Sequence, residues 1–407
     1  MEKLKTRSTT VCIVGGGPAG AMLGLLLARA GVDVTVLEKH ADFLRDFRGD
    51  TVHPGTIDVM HQLGLSERFH ELPHRKLTAM GVIRGDTYNE VANFGRLKVR
   101  FPYIAMVPQW DFLDFITAEA SRHPNFHLKM STAFHDAVRG NGRVCGVRYR
   151  CGDGEGEIRA ELTVAADGRH SATRAALGLR PRERGVPIDV VLFRVSRRES
   201  DPDDGGLTIR IDGGDILGLI DRGAYWQAFF EVPKGKGIRA LRAAGVEAFR
   251  EKVARLAPFL ADRVDEVESI DSLNFLDVRA DRLRRWHVPG ALVIGDAAHC
   301  MSPVGGLGVN LAVQDAVAVA NRLVEPLLRS QRDGTHVSRA ALAAVQRRRA
   351  FPAAAIQVLQ DAAIRFDPDA TPGGGLGLAQ KLLGRLIAFG FRPEHVRSRR
   401  ILFPAGG

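Results

Sequence analysis

The chain has 407 residues, 45% hydrophobic and 26% charged, a composition typical of globular proteins with room for more than one domain. The net charge is +10, but the arginine clusters are not interleaved with aromatic residues, so solvated surfaces are favoured over a nucleic-acid partner. No apolar run is long enough for a membrane span and no apolar signal segment follows Met1, so we expect a cytoplasmic location.

The N-terminal residues have the pattern of a βαβ nucleotide-binding unit. A strand over residues 10–14 precedes a glycine motif, Gly15-Gly16-Gly17-Pro18-Ala19-Gly20, and a helix to about residue 30. The first glycine of such a motif makes a tight turn, the second lets a pyrophosphate approach, and the third lets the helix pack on the strand. The motif therefore predicts a dinucleotide site, with a glycine-rich turn that binds nothing as the alternative.

An acidic residue completes this unit. Glu38 ends the second predicted strand, residues 33–37, and is followed by Lys39. A carboxylate at that place accepts hydrogen bonds from ribose hydroxyls and repels a 2′-phosphate. The adenosine should therefore be unphosphorylated, which fits NAD and FAD equally.

The elements that follow predict two sheets. Residues 79–104 contain short strands (80–84 and 97–101), interpreted as an excursion into a second sheet. Residues 105–180 return to the first sheet with a helix over 109–122 and further strands, the last of them over residues 161–166. The second sheet continues with alternating apolar strands at residues 190–195, 207–211, 216–220 and 225–232. Two helices, over residues 238–244 and 246–256, are expected behind it.

The segment 295–310 favours FAD over NAD as the bound cofactor. Its sequence is Gly-Asp-Ala-Ala-His-Cys-Met-Ser-Pro-Val-Gly-Gly-Leu-Gly-Val-Asn. It lies between a short apolar strand and a long predicted helix, so backbone N–H groups and the positive end of the helix dipole face the gap. Asp296 can accept hydrogen bonds from ribitol-type hydroxyls, and the small residues let a flat ring approach the backbone. No second GxGxxG motif exists, so a separate nicotinamide domain is not expected.

Together these motifs resemble the single-component (class A) FAD-dependent aromatic monooxygenases typified by para-hydroxybenzoate hydroxylase. The family's middle motif, DGxxSxxR, is present as Asp167-Gly168-Arg169-His170-Ser171-Ala172-Thr173-Arg174, between the glycine motif and the 295–310 segment. The resemblance covers most of residues 8–330. It implies an α/β fold with a Rossmann-like FAD-binding domain, a second, mostly antiparallel β-sheet substrate domain and a helical C-terminus.

The resemblance also implies domain limits. The FAD-binding domain would be discontinuous (1–78, 105–180 and 280–337). The substrate domain would comprise 79–104 and 181–279, and the C-terminal helical region 338–407, interrupted by a loop over 368–377.

Family positions suggest the contacts with FAD. Glu38 would bind the adenosine ribose, Asp296 the ribityl chain or pyrophosphate, and Asp167 would support the FAD site beside the NAD(P)H groove. Arg48 matches an arginine at the diphosphate, and Gln109 a glutamine near the ribityl chain. The full set implied to bind the cofactor is Gly15, Gly17, Ala19, Gly20, Glu38, Lys39, Arg48, Gln109, Asp167, Asp296, Gly306, Gly308, Val309 and Asn310.

Three residues are candidates for catalysis. Pro303 matches a proline whose carbonyl lies by the flavin and the hydroxylated ring. His53, near the flavin arginine, would relay a proton or serve as a cap or packing residue. Arg222 would pair with an acidic substrate group or lie in a surface turn.

A strand over 225–232 supplies the candidate pocket. Tyr225, Gln227 and Phe229 share one face of this strand, and we expect one face to meet the flavin-side cavity; plain core packing is the alternative. The four tyrosines do not match those that hold the phenolic carboxylate in the family's type member, so para-hydroxybenzoate itself is not expected. The four cysteines lack metal-ligand spacing, so neither a metal nor a disulfide is expected.

The resemblance implies an activity. NADH or NADPH would reduce FAD, and a C4a-hydroperoxyflavin formed with O₂ would hydroxylate an aromatic or heteroaromatic small molecule. The alternative is a flavin-dependent reductase or dehydrogenase, such as a prenyl-type reductase, without oxygen transfer. We expect a monomer or homodimer with no nucleic-acid partner.

Overall fold

The structure is a computed structural model that describes residues 5–44, 50–203, 206–365 and 394–404. Its strands are β1 (Lys5–Val14), β2 (Val34–Leu37), β3 (Thr51–Val52), β4 (Arg75–Leu77), β5 (Ala79–Arg84), β6 (Thr87–Asn93), β7 (Ile104–Met106), β8 (Phe126–Lys129), β9 (Ala133–Gly140), β10 (Arg143–Cys151), β11 (Gly154–Ala165), β12 (Pro181–Arg184), β13 (Ile188–Ser196), β14 (Gly206–Asp212), β15 (Asp215–Asp221), β16 (Tyr225–Pro233), β17 (Asn274–Leu276), β18 (Ala280–Leu283), β19 (His287–Val288) and β20 (Ala291–Val293). Its helices are α1 (Pro18–Arg29), α2 (Pro54–Gln62), α3 (Ser66–His70), α4 (Gln109–Ser121), α5 (Ala172–Ala176), α6 (Gly237–Leu256), α7 (Gly308–Asp333), α8 (Arg339–Ile364) and α9 (Arg399–Leu402).

The first sheet has a parallel centre, in the order β19-β20-β11-β1-β2-β8, with β10 and β9 attached to β11. Residues 11–14 of β1, 34–37 of β2 and 162–165 of β11 are buried throughout, because both faces of the parallel sheet are covered there. Helix α1 begins directly after β1, with Gly17 at its N-cap and Pro18 in its first turn, where the missing N–H of proline costs nothing. Helices α1 and α7 pack together in the largest core.

The second sheet has seven strands in the order β17-β13-β16-β15-β14-β5-β6, antiparallel except for the β14–β5 pair. One face carries Trp226, Ala228 and Phe230, which pack with Phe249 of α6. The other face is directed toward the first sheet's glycine loops across a cavity. The predicted α/β class, with a nucleotide-binding sheet, a mostly antiparallel second sheet and helices near the C-terminus, is confirmed.

Two local predictions need correction. Residues 97–101 do not form a strand, because the edge of β5 is occupied by β6 through the short turn at residues 85–86. The strand predicted to begin near Glu161 begins at Gly154, because its first half pairs with β10. Conversely, the predicted break between two helices at Gly245 is present inside α6 as a residue with φ of 85°.

The domain limits stay predictions. The second sheet takes β5 and β6 from the 79–104 segment and β13 to β17 from the 181–279 segment. The predicted loop over 368–377 lies outside the described residues. Among the residues that are described, no helix combines the length and the apolar character needed to cross a membrane.

Candidate active site

The glycine loop after β1 is shaped by close backbone approaches. Gly15 has φ of +104°, and a Cβ atom there would lie 2.4 Å from the carbonyl oxygen of Ala166. A Cβ atom on Gly20 would lie 1.9 Å from the carbonyl oxygen of Gly15. Gly17 differs, since no heavy atom lies within 4 Å of the position of its Cβ. The loop therefore needs glycine at 15 and 20 for its own folding, whereas Gly17 opens onto space at the start of α1.

The carboxylate of Glu38 is fixed beside this loop. Its Oε2 accepts a hydrogen bond from the N–H of Gly16 at 2.9 Å, and its Oε1 accepts one from the N–H of His40 at 3.1 Å. Two main-chain donors hold the carboxylate at the end of β2, with acceptor capacity left on both oxygens. This is the placement that the ribose contact requires.

The middle motif connects the two nucleotide loops. Asp167 accepts hydrogen bonds from the hydroxyl of Ser171 and from the N–H of Thr173 at 3.0 Å, while Ser171 caps α5 by accepting from the N–H of Arg174. The guanidinium of Arg174 is buried and donates to the carbonyl of Ala297 at 3.0 Å. Arg174 thereby ties the DGxxSxxR segment to the loop that carries Asp296.

The 295–310 segment wraps the end of α7. A Cβ atom on Gly306, which has φ of +60°, would lie 2.3 Å from the hydroxyl oxygen of Thr51, and that hydroxyl donates to the Gly306 carbonyl at 2.7 Å. Asn310 is fully buried, and its side-chain oxygen accepts a hydrogen bond from Thr56 at 2.6 Å. The Asn310 side chain therefore braces α2 against α7, which sequence reasoning did not foresee.

A buried ionic network lies directly behind this segment. Asp315 of α7 is completely buried and contacts three groups: Nε2 of His299 at 2.6 Å, Nε of Arg349 at 2.8 Å and the N–H of Gly295 at 2.9 Å. Burial would raise the pKa of Asp315, but the charges and hydrogen bonds of His299 and Arg349 outweigh it and hold that pKa at about 2. The network joins the 295–310 segment, the predicted flavin loop, to α7 and α8.

Two glutamines of helix α8 also hold the same segment. The amide nitrogen of Gln357 donates to the carbonyls of Asp281 and Cys300, and that of Gln360 donates to the carbonyls of Ser302 and Val304. The backbone on both sides of Pro303 is thus held by a helix from the C-terminal region. The only signal in the sequence was a set of polar residues in an alanine-rich helix.

A single cavity of about 1100 Å³ joins the nucleotide loops to the second sheet. Most of the predicted site residues line it, namely Gly15, Gly17, Ala19, Glu38, Lys39, His53, Gln109, Asp167, Gln227, Phe229, Asp296, Pro303, Gly306, Gly308 and Val309. Gly20, Asn310, Arg222 and Tyr225 are not part of its wall. Arg48 lies outside the described residues.

Two of the catalytic candidates are held in place by neighbouring groups. His53 is 1% exposed; burial lowers its pKa to about 4, against hydrogen bonds with the backbone of Gly306 and Gly305. His53 is therefore neutral at physiological pH and is bound to the backbone of residues 305 and 306. Arg222 pairs with the Asp50 carboxylate at 3.4 Å, so it reaches the cavity only through Asp50, which is in the wall.

The pocket residues lie on a largely aliphatic floor. Strand pairing places Leu192, Phe229, Gly218, Ile209 and Val82 in one row across five strands. A Cβ atom on Gly218 would lie 1.9 Å from the ring of Phe229, so this glycine makes room for the ring to lie over β15. Tyr225 lies at the beginning of β16, where Arg194 covers its ring at 5.0 Å, which explains its absence from the wall.

Glu231 is the cavity residue that sequence reasoning missed. It follows Gln227 and Phe229 on the same face of β16 and lines the cavity. Burial raises the pKa of Glu231 to about 7, with no compensating cation or hydrogen-bond donor among the described residues. The alternation that selected Tyr225, Gln227 and Phe229 extends to Glu231 and could have found it.

Replacing Glu231 by glutamine is expected to raise the free energy of unfolding by about 3 kcal/mol at pH 8 and to leave it unchanged at pH 4. The pKa of Glu231 in the folded protein is about 7, against an ordinary value of 4.5. The folded protein therefore binds more protons than the unfolded chain between these values, and it loses stability as the pH rises through them. Denaturant unfolding of both proteins across this pH range measures the difference.

The control for this prediction is Glu251→Gln, which makes the same chemical change at an exposed position on α6. It should change the stability little at any pH. A difference between wild type and E231Q that does not vary with pH would contradict the prediction.

The loops fit an FAD molecule. Open space at Gly17, the N–H groups at the start of α1 and the fixed Glu38 carboxylate suit a pyrophosphate and a ribose. Asp296 and the backbone of residues 305–309 continue along the same cavity toward the second sheet. A ligand with a nucleotide at one end and a flat ring at the other matches this order of groups.

Comparisons with known proteins agree with this assignment. The family described as "FAD binding domain" matches residues 8–358. The chain is 33% identical to 6-methylpretetramide 4-monooxygenase of Streptomyces rimosus, over 96% of this chain and 94% of that protein. It is 29% identical to rifampicin monooxygenase of Streptomyces venezuelae over 75% of this chain, but this match spans only 62% of that longer protein.

Solved structures share the fold. The structure of PqsL from Pseudomonas aeruginosa in complex with 2-aminobenzoylacetate superimposes with a TM-score of 0.77 at 21% identity, over 93% of this chain and 100% of that one. The p-nitrophenol 4-monooxygenase PnpA of Pseudomonas putida gives a TM-score of 0.76 at 19% identity, over 97% and 100%. The chain belongs to the FAD-binding-domain family of single-component FAD-dependent aromatic monooxygenases.

Proposed function

We propose that the protein uses FAD and electrons from NADH or NADPH to insert one oxygen atom of O₂ into an aromatic or heteroaromatic small molecule. The observation that carries this proposal is the single cavity, in which the FAD-binding loops and the apolar floor of the second sheet face one another. The named relatives 6-methylpretetramide 4-monooxygenase and rifampicin monooxygenase support the reaction type.

The chain would hold the cofactor along the wall of this cavity. Glu38 would accept hydrogen bonds from the adenosine ribose, and the N–H groups at the start of α1 would face the pyrophosphate. Asp296 would accept from the ribityl hydroxyls, with Gln109 near the same chain, and Gly308 and Val309 would face the flavin ring. When bound, FAD supplies the redox chemistry, accepting a hydride and activating O₂.

The protein's own part is to exclude water and orient the ring. The floor of the second sheet supplies aliphatic side chains from five strands, which bury an aromatic substrate away from water. Pro303 lies in the wall, held in place by the two α8 contacts with its neighbours, Gln360 to Ser302 and Val304. His53 is neutral near pH 7, so it could accept a proton only from a group that is itself acidic.

The experiment is a comparison of NADPH and NADH oxidation with and without oxygen. Protein reconstituted with FAD is expected to oxidise a pyridine nucleotide faster when a phenol or nitrogen heterocycle from a screening set is added. It should release a hydroxylated product only when O₂ is present. Product formed equally well under anaerobic conditions would favour a reductase and contradict the proposal, as would a protein that fails to bind FAD.

A further inference from the structure

Three polar or aromatic side chains stand out on the cavity floor. Gln227, Phe229 and Glu231 alternate along β16 and all face the cavity. Their partners on β13 are Arg194, Leu192 and Val190, in that order, and on β15 Ile220 pairs with Gln227 and Gly218 with Phe229. Within the described residues, neither the amide of Gln227 nor the carboxylate of Glu231 has a hydrogen-bond partner. An aromatic ring thus lies between two polar groups on the cavity face of β16, and aliphatic Val190 lies opposite Glu231.

The Glu231 carboxylate, which has no hydrogen-bond partner among the described residues, lowers the stability of the folded protein. Burial of an ionisable group without a partner destabilises a protein, and aliphatic side chains would fill the same place at no such cost. The adjacent strand shows that the sheet tolerates an aliphatic residue here, since Val190 of β13 pairs directly with Glu231. A ligand group that donates a hydrogen bond would supply the missing partner.

The position of Glu231 separates it from the cofactor loops. Pro303 and the glycines at 305, 306 and 308 belong to the wall supplied by the first sheet and α7, whereas Glu231 belongs to the second sheet. A ligand group beside Glu231 would therefore lie on the second-sheet side of the cavity, opposite the 295–310 segment.

From this geometry we infer that Glu231 determines substrate specificity, by accepting a hydrogen bond from a hydroxyl group of an aromatic substrate whose ring packs on Phe229. This inference rests on the proposed function. The substrate class is then a phenol or enol with a second hydroxyl away from the site of oxygen insertion. Gln227, on the other side of Phe229, can donate or accept and so does not select a donor by itself.

A matched pair of probes tests the contact. We would titrate FAD-loaded protein with 2,7-dihydroxynaphthalene and with its monomethyl ether, 7-methoxy-2-naphthol, and follow the absorbance change of the bound flavin. At pH 8, where Glu231 is largely ionised, wild-type protein is expected to bind the diol about tenfold more tightly than the ether, as for a hydrogen bond to a charged acceptor. In Glu231→Gln, which keeps the shape of the side chain, the preference should fall below about threefold.

Two controls separate this contact from other effects. Glu251→Gln, at an exposed position on α6, should keep the wild-type preference. FAD content and thermal unfolding will show that each variant is folded and loaded. Retention of the diol preference in E231Q overturns the inference, as does equal or undetectable binding of the two probes by the wild type. If both probes stimulated NADPH oxidation to the same extent, this would contradict the role of Glu231 and leave the proposed function intact.

Discussion

Replacing Gly17 by valine is expected to lower the affinity for FAD by at least about a thousandfold while leaving the fold in place. The side chain would enter the open space beside the start of α1, where no protein atom lies within 4 Å of the Cβ position. Overlap with the cofactor and the loss of N–H contacts with its phosphates together cost about 4 kcal/mol. Titration of FAD-depleted protein with FAD, followed by flavin fluorescence, measures the change.

Gly152→Val is the matched control for this prediction. Gly152 also has open space around its Cβ position, but it lies in the turn between β10 and β11, outside the cavity wall. That variant should bind FAD as the wild type does, and both variants should have a similar content of secondary structure. If G17V bound FAD within about tenfold of the wild type, the assignment of the glycine loop to the cofactor would be wrong.

The second large effect is expected for Asp315→Asn, which should lower the free energy of unfolding by about 3–5 kcal/mol. The substitution leaves the buried guanidinium of Arg349 without its counter-charge and weakens the contact with His299. Denaturant unfolding at neutral pH measures the loss. The control is Glu325→Gln, at another position on α7, which removes an exposed ion pair with Arg400 of α9. It should lower the free energy of unfolding by less than about 1 kcal/mol.

The pH dependence of this second effect has a definite sign. The pKa of Asp315 is lowered from 3.8 to about 2 in the folded protein, so the ionised carboxylate stabilises the fold above pH 3.8. That contribution is lost as the pH falls toward 2, and the difference between wild type and D315N should narrow there. A cost for D315N no larger than that of E325Q would show that the network does not hold the flavin loop on α7.

Local patterns predicted the parts of the site that depend on neighbours in the sequence. The turn at Gly15 and the place of Glu38 follow from a strand, a glycine motif and a second strand in order, and both residues lie in the cavity wall. Alternation along β16 likewise placed Gln227 and Phe229 on the cavity face. Alternation could not show that Tyr225 lies beyond the cavity, since that depends on where the cavity ends.

The contacts that the sequence did not predict join distant segments. Asn310 is paired with Thr56, 254 positions earlier in the sequence, and Arg349 reaches Asp315 from the next helix. Gln357 and Gln360 act on carbonyls more than 50 positions away. Periodicity predicts that these residues lie on helices, but not which helix face meets which loop, because packing decides that only after the elements have formed.

The most direct test of the central claim is the origin of the oxygen atom in the product. FAD-loaded protein would be supplied with NADPH or NADH, an aromatic compound that stimulates its oxidation, and ¹⁸O₂ in unlabelled water, and the product would be analysed by mass spectrometry. A monooxygenase would place one ¹⁸O atom in each molecule of hydroxylated product. A product without the label, or a reduced product formed in the absence of O₂, would contradict that claim.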